Sequence, residues 1–202
     1  MNSHPGPHPE PHSDLPAKEP LVSLLPIGRR LYRLHRKEYG AIYFGKTKRA
    51  RFDAPDASYG VLYVGLDAHC AFIETFGQAT GESLVTTAAL RARILSEIEV
   101  TSDLKVIDLV TSGGLTRIGA DARLFDGAHE ISRRWSLALK HHPVDPDGIM
   151  YRARHDPSRT AYALFDNADG ALTERSLGSL ADSTNTSLLA DILNTYNFGL
   201  VD

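Results

Sequence analysis

The sequence predicts an α+β protein with a single domain. Its 202 residues suffice for one hydrophobic core, and 42% hydrophobic with 23% charged residues is typical of a globular chain. Strand-like and helix-like segments are mixed along the chain but do not alternate regularly. A doubly wound parallel sheet requires that alternation, so we expect an α+β arrangement instead.

Composition narrows the functional classes. The formal net charge is −3, whereas a dedicated nucleic-acid binder usually carries a basic excess, so we expect no direct nucleic-acid partner. Cys70 is the single cysteine, which excludes an intrachain disulfide. No run approaches the ~20 apolar residues that cross a bilayer, and the N-terminus lacks the pattern of a secretory signal. A cytoplasmic protein without a membrane partner is therefore expected.

Residues 1–20 are rich in proline, histidine and small polar residues. Such a stretch buries too little apolar surface to offset its ordering entropy, which predicts a disordered tail. His4, His8 and His12 recur every four residues, but the intervening prolines forbid the helix that would align them, so we expect no metal site. The folded domain would then span residues 21–202, including a C-terminal helical segment.

The first predicted strands flank a basic loop. The run LYRL at 31–34 predicts one strand, and VLYVG at 61–65 predicts a second, buried one. Between them, residues 39–59 form a glycine-punctuated segment without a clear period. Long loops of this kind inside a compact domain are often functional.

The helix that follows contains the first candidate for chemistry. Residues 68–76 (AHCAFIETF) predict a helix with Asp67 as its N-cap and Gly77 as its end. This helix is apolar almost all round, which is typical of a buried helix, and Glu74 is its only carboxylate. Burying an unpaired carboxylate is costly. Glu74 therefore either reaches water at the helix end or faces a cation or ligand in a cleft, and the pattern leaves both open.

The remaining segments continue the mixed order. Residues 83–93 are ambiguous between helix and strand. Strands are predicted at 94–100, 105–109, 148–154 and 160–165, and helices at 129–141 and 187–196.

A basic cluster precedes the buried strand. Residues 29–51 contain nine lysines and arginines against Glu38 alone. A solvated face is one interpretation, and an anion site is the other, because guanidinium groups grip phosphate oxygens in pairs. Arg33, Arg51, Tyr63 and Glu74 would suit a pyrophosphate attached to a sugar with a leaving group. The alternative for these four residues is an ordinary ion-pair network.

Residues 30–167 resemble the RES domain, the toxin component of many bacterial toxin–antitoxin pairs. The resemblance rests on LYRL, RARFDAP, YGVLYVGLDAHCAFIETFG, VIDLVTSGGLTRIGADARLFDGAHEISRRWSLAL and DGIMYRARHDPSRTAYALFD, in family order. It implies a fold similar to ADP-ribosyltransferase toxins, in which a split β-sheet with flanking helices forms a cleft for NAD. Residues 21–202 would then be a single RES-type catalytic domain.

The resemblance also implies roles for particular residues. Glu74 matches the family glutamate and would stabilise positive charge on the ribose. Arg33 or Arg51 match the arginines and would hold the pyrophosphate, with Arg51 also in the catalytic set. Tyr63 and Tyr151 are placed at the dinucleotide. The family pattern resembles Tyr-Arg-Ser-Arg where this chain has Tyr-Arg-Ala-Arg, so Ala153 lacks the serine hydroxyl.

Three functions are compatible with this resemblance. The first is an NAD-degrading enzyme, a phosphorylase or glycohydrolase that uses inorganic phosphate or water and no metal. The second is a mono-ADP-ribosyltransferase acting on a cellular protein. The third, suggested by Ala153, is a relative that binds a nucleotide or partner without turnover. The resemblance further implies an Xre-type helix-turn-helix antitoxin as partner, with a homodimer or a toxin–antitoxin hetero-oligomer as the assembly.

Overall fold

An eight-stranded sheet organises the computed structural model, which describes residues 10–79, 81–126 and 129–202. The strand order in this sheet is β1-β6-β7-β8-β3-β2-β5-β9, and β10 pairs with β4 in a separate two-stranded sheet. The strands are β1 Val22–Leu25, β2 Arg30–Arg36, β3 Val61–Gly65, β4 Leu84–Thr86, β5 Arg93–Val100, β6 Leu104–Asp108, β7 Gly148–Arg152, β8 Thr160–Phe165, β9 Leu172–Ser176 and β10 Gly199–Val201.

The large sheet is split between β2 and β3. These two strands share the single registered pair Tyr32↔Gly65, whereas the neighbouring pairs β2–β5 and β3–β8 run in register along most of their length. One part therefore contains β1, β6, β7, β8 and β3, and the other contains β2, β5 and β9. Both the α+β class and the split sheet are confirmed.

Helices cover both parts of the sheet. They are α1 Ala68–Phe76, α2 Thr87–Arg91, α3 Gly114–Ile118, α4 Arg123–Asp126, α5 His129–Lys140 and α6 Thr186–Tyr196. Trp135 of α5 is buried against one face of the sheet, and Phe72 of α1 is buried in a different apolar cluster. No helix among the described residues is long and apolar enough to cross a membrane.

The helix α1 forms with the predicted boundaries. The Asp67 side chain accepts a hydrogen bond from the backbone N–H of Cys70 at 2.8 Å, which satisfies a donor of the first turn. Gly77 follows the last turn and closes it through its N–H to the Ile73 carbonyl. The strand β3 also has its predicted bounds, because its apolar residues pack on both faces of the sheet.

The segment interpreted as a disordered tail differs from that prediction at residues 10–20. Leu15 begins a short 3₁₀ helix, Leu15–Ala17, and is 1% exposed within the apolar cluster that contains Trp135. The Leu15 carbonyl also accepts a hydrogen bond from His142. One well-buried leucine thus anchors a stretch whose average composition is polar. His12 contacts Asp14, while His4 and His8 lie outside the described residues.

The ambiguous segment at 83–93 contains both kinds of element. Three residues form β4 and the next five form α2, so neither is long enough to show a period. The strand β9 also has no sequence signal, because four of its five residues are exposed at the edge of the sheet. The strand predicted at 148–154 ends earlier, at Arg152.

Candidate functional site

A cleft of about 390 Å³ opens where the sheet is split. Both strands at the split line it, with Tyr32 and Arg33 from β2 and Tyr63 and Gly65 from β3. The helix α1, the residues at the end of β7, residues 49–51 of the basic loop, Phe125 of α4 and His129 of α5 contribute the other walls. A cleft of this kind is where proteins most often bind a small molecule.

The charged groups of the cleft are strongly biased. Among the described residues that line it, there is one acidic side chain, Glu74. The basic side chains are five arginines and two histidines: Arg33, Arg49, Arg51, Arg152, Arg154, His129 and His155. The excess of guanidinium groups favours an anionic ligand, and phosphate oxygens suit these groups best.

Glu74 is half-buried and faces this cleft. Its Oε1 accepts a hydrogen bond from the backbone N–H of His155 at 3.3 Å, which orients the carboxylate. The Gln78 side chain donates to the backbone carbonyl of Glu74 at 2.7 Å and closes the end of α1. The sequence left open whether Glu74 reaches water at the helix end or faces a cleft, and in the structure it lines the cleft.

Arg33 lines the cleft, but part of its guanidinium is already engaged. Its Nη1 donates to the carbonyl of Ala41 at 2.6 Å and to that of Tyr43 at 3.3 Å. Burial lowers the pKa of Arg33 although Glu174 counteracts this, and an arginine nonetheless stays charged at neutral pH. Arg33 therefore ties the basic loop to β2 on one side of the cleft.

Arg51 is 8% exposed, and its hydrogen bonds also stabilise the structure around the cleft. Its Nη1 donates to the Leu124 carbonyl and to the Ser132 Oγ, both at 3.2 Å. These bonds connect the basic loop to α4 and α5. Because Arg51 lines the cleft as well, its charge acts on any anion bound there.

Tyr63 lines the cleft, while its hydroxyl has a structural role. The hydroxyl donates to Asp53 Oδ1 at 3.0 Å and accepts from the backbone N–H of Phe52 at 2.9 Å. Burial and the charge of Asp53 raise the pKa of Tyr63 well above its ordinary value. Since the hydroxyl already donates one hydrogen bond and accepts another, the ring is the part of Tyr63 that can contact a bound molecule.

Tyr151 differs from Tyr63 in the state of its hydroxyl. The ring is 6% exposed and packs edge-on against Phe52, with 4.9 Å between ring centroids. No described residue forms a hydrogen bond with the Tyr151 hydroxyl. Burial, and then the charge of Glu74, raise the pKa of Tyr151 well above its ordinary value, so the hydroxyl stays protonated. Tyr151 thus presents a hydrogen-bond donor near Glu74.

The arginines that the sequence analysis did not assign to the site are the more available ones. The side chains of Arg49, Arg152 and Arg154 line the cleft, and none forms a hydrogen bond or ion pair with another described residue. His129 supports Arg49 through a bond between its Nδ1 and the Arg49 carbonyl at 2.9 Å. The motif Tyr-Arg-Ala-Arg was the sequence signal for Arg152 and Arg154, because it places one arginine on each side of Ala153 at the end of a strand.

Ala153, between those arginines, does not line the cleft. Its side chain is 1% exposed and belongs to the apolar cluster that contains Tyr151 and Phe125. Its backbone N–H donates to the Arg159 carbonyl at 3.0 Å. The position where the family pattern has a serine is therefore a core position in this chain.

The described residues contain no group of three or more histidine, cysteine, aspartate or glutamate side chains that could hold a metal ion. The described side chains that line the cleft include a carboxylate, several cations and three tyrosines.

Known proteins resemble this chain in sequence and in fold. It is 33% identical over 122 residues to the probable toxin y4kH of Sinorhizobium fredii, which covers 60% of this chain and 93% of that protein. Its fold is similar to a chain in the crystal structure of the M. tuberculosis MbcT–MbcA toxin–antitoxin complex. That likeness has a TM-score of 0.58 at 18% sequence identity and covers 81% of this chain and 92% of the other.

The family follows from a match over most of the chain. The family model for the RES domain matches residues 30–184, which include every strand of the split sheet except β1 and every described residue that lines the cleft. This chain is a member of the RES domain family.

Proposed function

We propose that this protein is a toxin that cleaves the bond between nicotinamide and ribose in NAD, acting in the cytoplasm. The observation that carries the proposal is the charge pattern of the cleft, where one carboxylate, Glu74, faces five arginines. NAD offers a pyrophosphate for the cations and, for the carboxylate, a ribose that carries the positively charged nicotinamide ring. The names of the similar proteins, a probable toxin and a toxin–antitoxin complex, support the biological role.

Glu74 is the group that we assign to the reacting ribose. As the bond to nicotinamide breaks, its electron pair stays with the ring nitrogen, which becomes neutral, and positive charge develops on the ribose. A carboxylate oriented in advance stabilises that charge without reorganising during the reaction. The bond from His155 N–H to Glu74 Oε1 supplies this orientation.

The arginines divide into two groups in this proposal. Arg49, Arg152 and Arg154 bind the pyrophosphate directly, because their guanidinium groups are not engaged by described residues. Arg33 and Arg51 contribute positive charge and stabilise the walls of the cleft, since each already donates a hydrogen bond to a backbone carbonyl group. Tyr63 supplies a ring for stacking, and Tyr151 supplies a ring and a hydroxyl donor.

The acceptor completes the reaction. The new bond to the ribose carbon is formed either by the oxygen of water, which loses a proton to solvent, or by an anionic oxygen of inorganic phosphate. Water yields ADP-ribose, and phosphate yields its phosphorylated derivative, with nicotinamide as the common product. Transfer to a cellular protein would use the same cleft and differs in the acceptor alone.

The decisive experiment measures nicotinamide release from NAD by the purified protein, with and without phosphate. We expect release by the wild-type chain and none by Glu74→Gln, which removes the charge and keeps the shape. Glu82→Gln is the matched control, because Glu82 is exposed and does not line the cleft. Faster release with phosphate identifies the phosphorylase reaction.

Three results would contradict the proposal. Full activity of Glu74→Gln would show that the Glu74 carboxylate has no role in the reaction. Absence of nicotinamide release from the purified wild type alone, with transfer of radiolabelled ADP-ribose to proteins once lysate is added, would favour the ADP-ribosyltransferase alternative. No release and no transfer would favour the relative without turnover.

The proposed partner is an antitoxin with a helix-turn-helix domain, encoded beside this chain. Expression of the chain alone should stop bacterial growth, and co-expression of the neighbouring reading frame should restore it. Growth arrest that persists in Glu74→Gln would show that the toxicity does not depend on the cleft.

A further inference from the structure

The C-terminal helix α6 begins at Thr186, just beyond the RES-matched residues 30–184. It packs directly on α1, the helix that carries Glu74. Phe72 of α1 stacks on Tyr196 of α6 with 6.3 Å between ring centroids and an angle of 5°. Ile192 is fully buried in the same apolar cluster as Phe72. An element outside the family match thus supports the helix of the proposed catalytic carboxylate.

Tyr196 also begins a chain of polar contacts. Its hydroxyl donates to Asp156 Oδ2 at 3.0 Å, and Asp156 lies in the β7–β8 loop, residues 153–159. Arg159 Nε donates to the same Asp156 oxygen at 3.3 Å. Arg159 Nη1 donates to Asp67 Oδ2 at 2.6 Å, and Asp67 is the N-cap of α1. The contacts therefore connect the end of α6 with the β7–β8 loop and the beginning of α1.

The same loop touches the other end of α1. His155, directly before Asp156, donates its backbone N–H to Glu74 Oε1 at 3.3 Å. A Cβ on Gly77 would lie 3.2 Å from the His155 Cβ, so His155 in the loop closely approaches the end of the helix. A small shift of Asp156 would consequently move the donor that orients the Glu74 carboxylate.

The ionisation states keep these contacts in place at neutral pH. Burial, and then the hydrogen bond to Asp156, raise the pKa of Tyr196, so its hydroxyl remains a donor. Burial raises the pKa of Asp156, but hydrogen bonds from Ser158 and Tyr196 outweigh this and bring it below the ordinary value. The pair is therefore a neutral donor on an ionised acceptor, which is a strong type of hydrogen bond.

We propose that Tyr196 is a positioning residue for the cleft. Through Asp156 it fixes the β7–β8 loop, and the loop holds the His155 N–H against the Glu74 carboxylate. The catalytic consequence rests on the proposed function, whereas the effect on the loop does not. A helix that merely covered the apolar face of α1 would need the Tyr196 ring and not its hydroxyl.

Tyr196→Phe separates these two roles, because phenylalanine keeps the ring stack on Phe72 and removes the donor to Asp156. The first measurement is hydrogen exchange of the His155 amide, read by NMR. We expect exchange to be about tenfold faster, the effect of losing one hydrogen bond to a charged group. Tyr39→Phe is the matched control, since Tyr39 is 58% exposed and lies outside the cleft.

The second measurement is kcat for nicotinamide release at saturating NAD, which removes any contribution of weaker binding. Tyr196→Phe and Asp156→Asn should each lower kcat by about tenfold. The double variant should be no slower than the slower single variant, because both changes break the same contact. The thermal midpoint of Tyr196→Phe is recorded alongside, so that partial unfolding is recognised.

The outcomes distinguish the two proposals. Unchanged exchange at His155 in Tyr196→Phe would overturn the positioning role, whatever the activity. Faster exchange with unchanged kcat would overturn it as well, since Glu74 would then not depend on the loop. If wild type releases no nicotinamide, the proposed function fails, and the exchange data alone decide whether Tyr196 fixes the loop.

Discussion

Gly65 lies so close to Cys70 that a methyl group on Gly65 would approach the Cys70 Cβ to 2.7 Å and its Sγ to 2.9 Å. Gly65 is the last residue of β3, and Cys70 is in the first turn of α1. The absence of a side chain therefore sets how near α1 approaches the sheet. Gly65 is also the residue that pairs with Tyr32 across the split. Gly65 thus determines how closely α1 approaches β3 at the wall of the cleft, and it lies at the point where β2 and β3 separate.

We expect Gly65→Ala to lower both stability and activity. The added methyl group must push α1 away from β3, and such overpacking costs about 1–3 kcal/mol of unfolding free energy. The displacement also moves Glu74, so nicotinamide release should fall. Urea denaturation and the NAD assay measure the two effects. Gly170→Ala is the control, because a Cβ there would meet nothing within 4 Å. Wild-type values for Gly65→Ala in both assays would contradict the tight contact.

We expect Arg152 and Arg154 to be important for binding NAD, although the sequence analysis did not assign them to the site. Changing either to alanine removes a guanidinium group that faces the cleft, and we expect KM for NAD to rise about tenfold or more. Arg117→Ala is the charge-matched control, since Arg117 is exposed and does not line the cleft. Equal KM values for the control and for both variants would show that the pyrophosphate binds elsewhere.

The fold was predictable where residues signal structure locally. The boundaries of α1 follow from Asp67 and Gly77, and those of β3 follow from a continuous apolar run. Elements of three to five residues, such as β4 and α2, have no such signal. The ordered segment around Leu15 was missed because its anchor is a contact with residues more than a hundred positions away.

The candidate site was predictable in part for the same reason. Glu74 stands out because a lone carboxylate on an apolar helix needs a partner or a cleft. The engagement of Arg33 and Arg51 with carbonyl groups is invisible in the sequence, since Leu124, one acceptor, is 73 residues from Arg51. Which arginines remain available for a ligand is a property of the folded chain alone.

Cys70 should be unreactive in the folded protein. Burial, and then the charges of Glu74 and Asp67, raise its pKa from the ordinary 9.0 to about 12. A raised pKa favours the protonated thiol, so at pH 8 the reactive thiolate is roughly one part in ten thousand. The associated stabilisation is complete below the ordinary thiol pKa and is lost as the pH rises through 12.

Alkylation with iodoacetamide at pH 8, followed by mass spectrometry, tests this expectation. The native chain should remain unmodified, and the same chain in urea should be labelled fully. Equal labelling rates in both conditions would mean that Cys70 is exposed to solvent.

The alanine at the family serine position gives the last test. Ala153 is 1% exposed and its side chain lies in the apolar cluster with Phe125 and Tyr151, so a hydroxyl there enters an apolar environment. We expect Ala153→Ser to lower the unfolding free energy by about 1–3 kcal/mol, the cost of a buried hydroxyl without a partner. We expect no gain in kcat, because this side chain does not line the cleft.

Urea denaturation and nicotinamide release test that pair of expectations. Ala122→Ser, at an exposed position, is the control for the chemical change itself. A several-fold rise in kcat for Ala153→Ser, without loss of stability, would contradict the expectation. It would mean that the serine hydroxyl reaches the cleft and that this chain is an attenuated relative. An unchanged or lower kcat would mean that the carboxylate, arginines and tyrosines of the cleft suffice for the reaction without that hydroxyl.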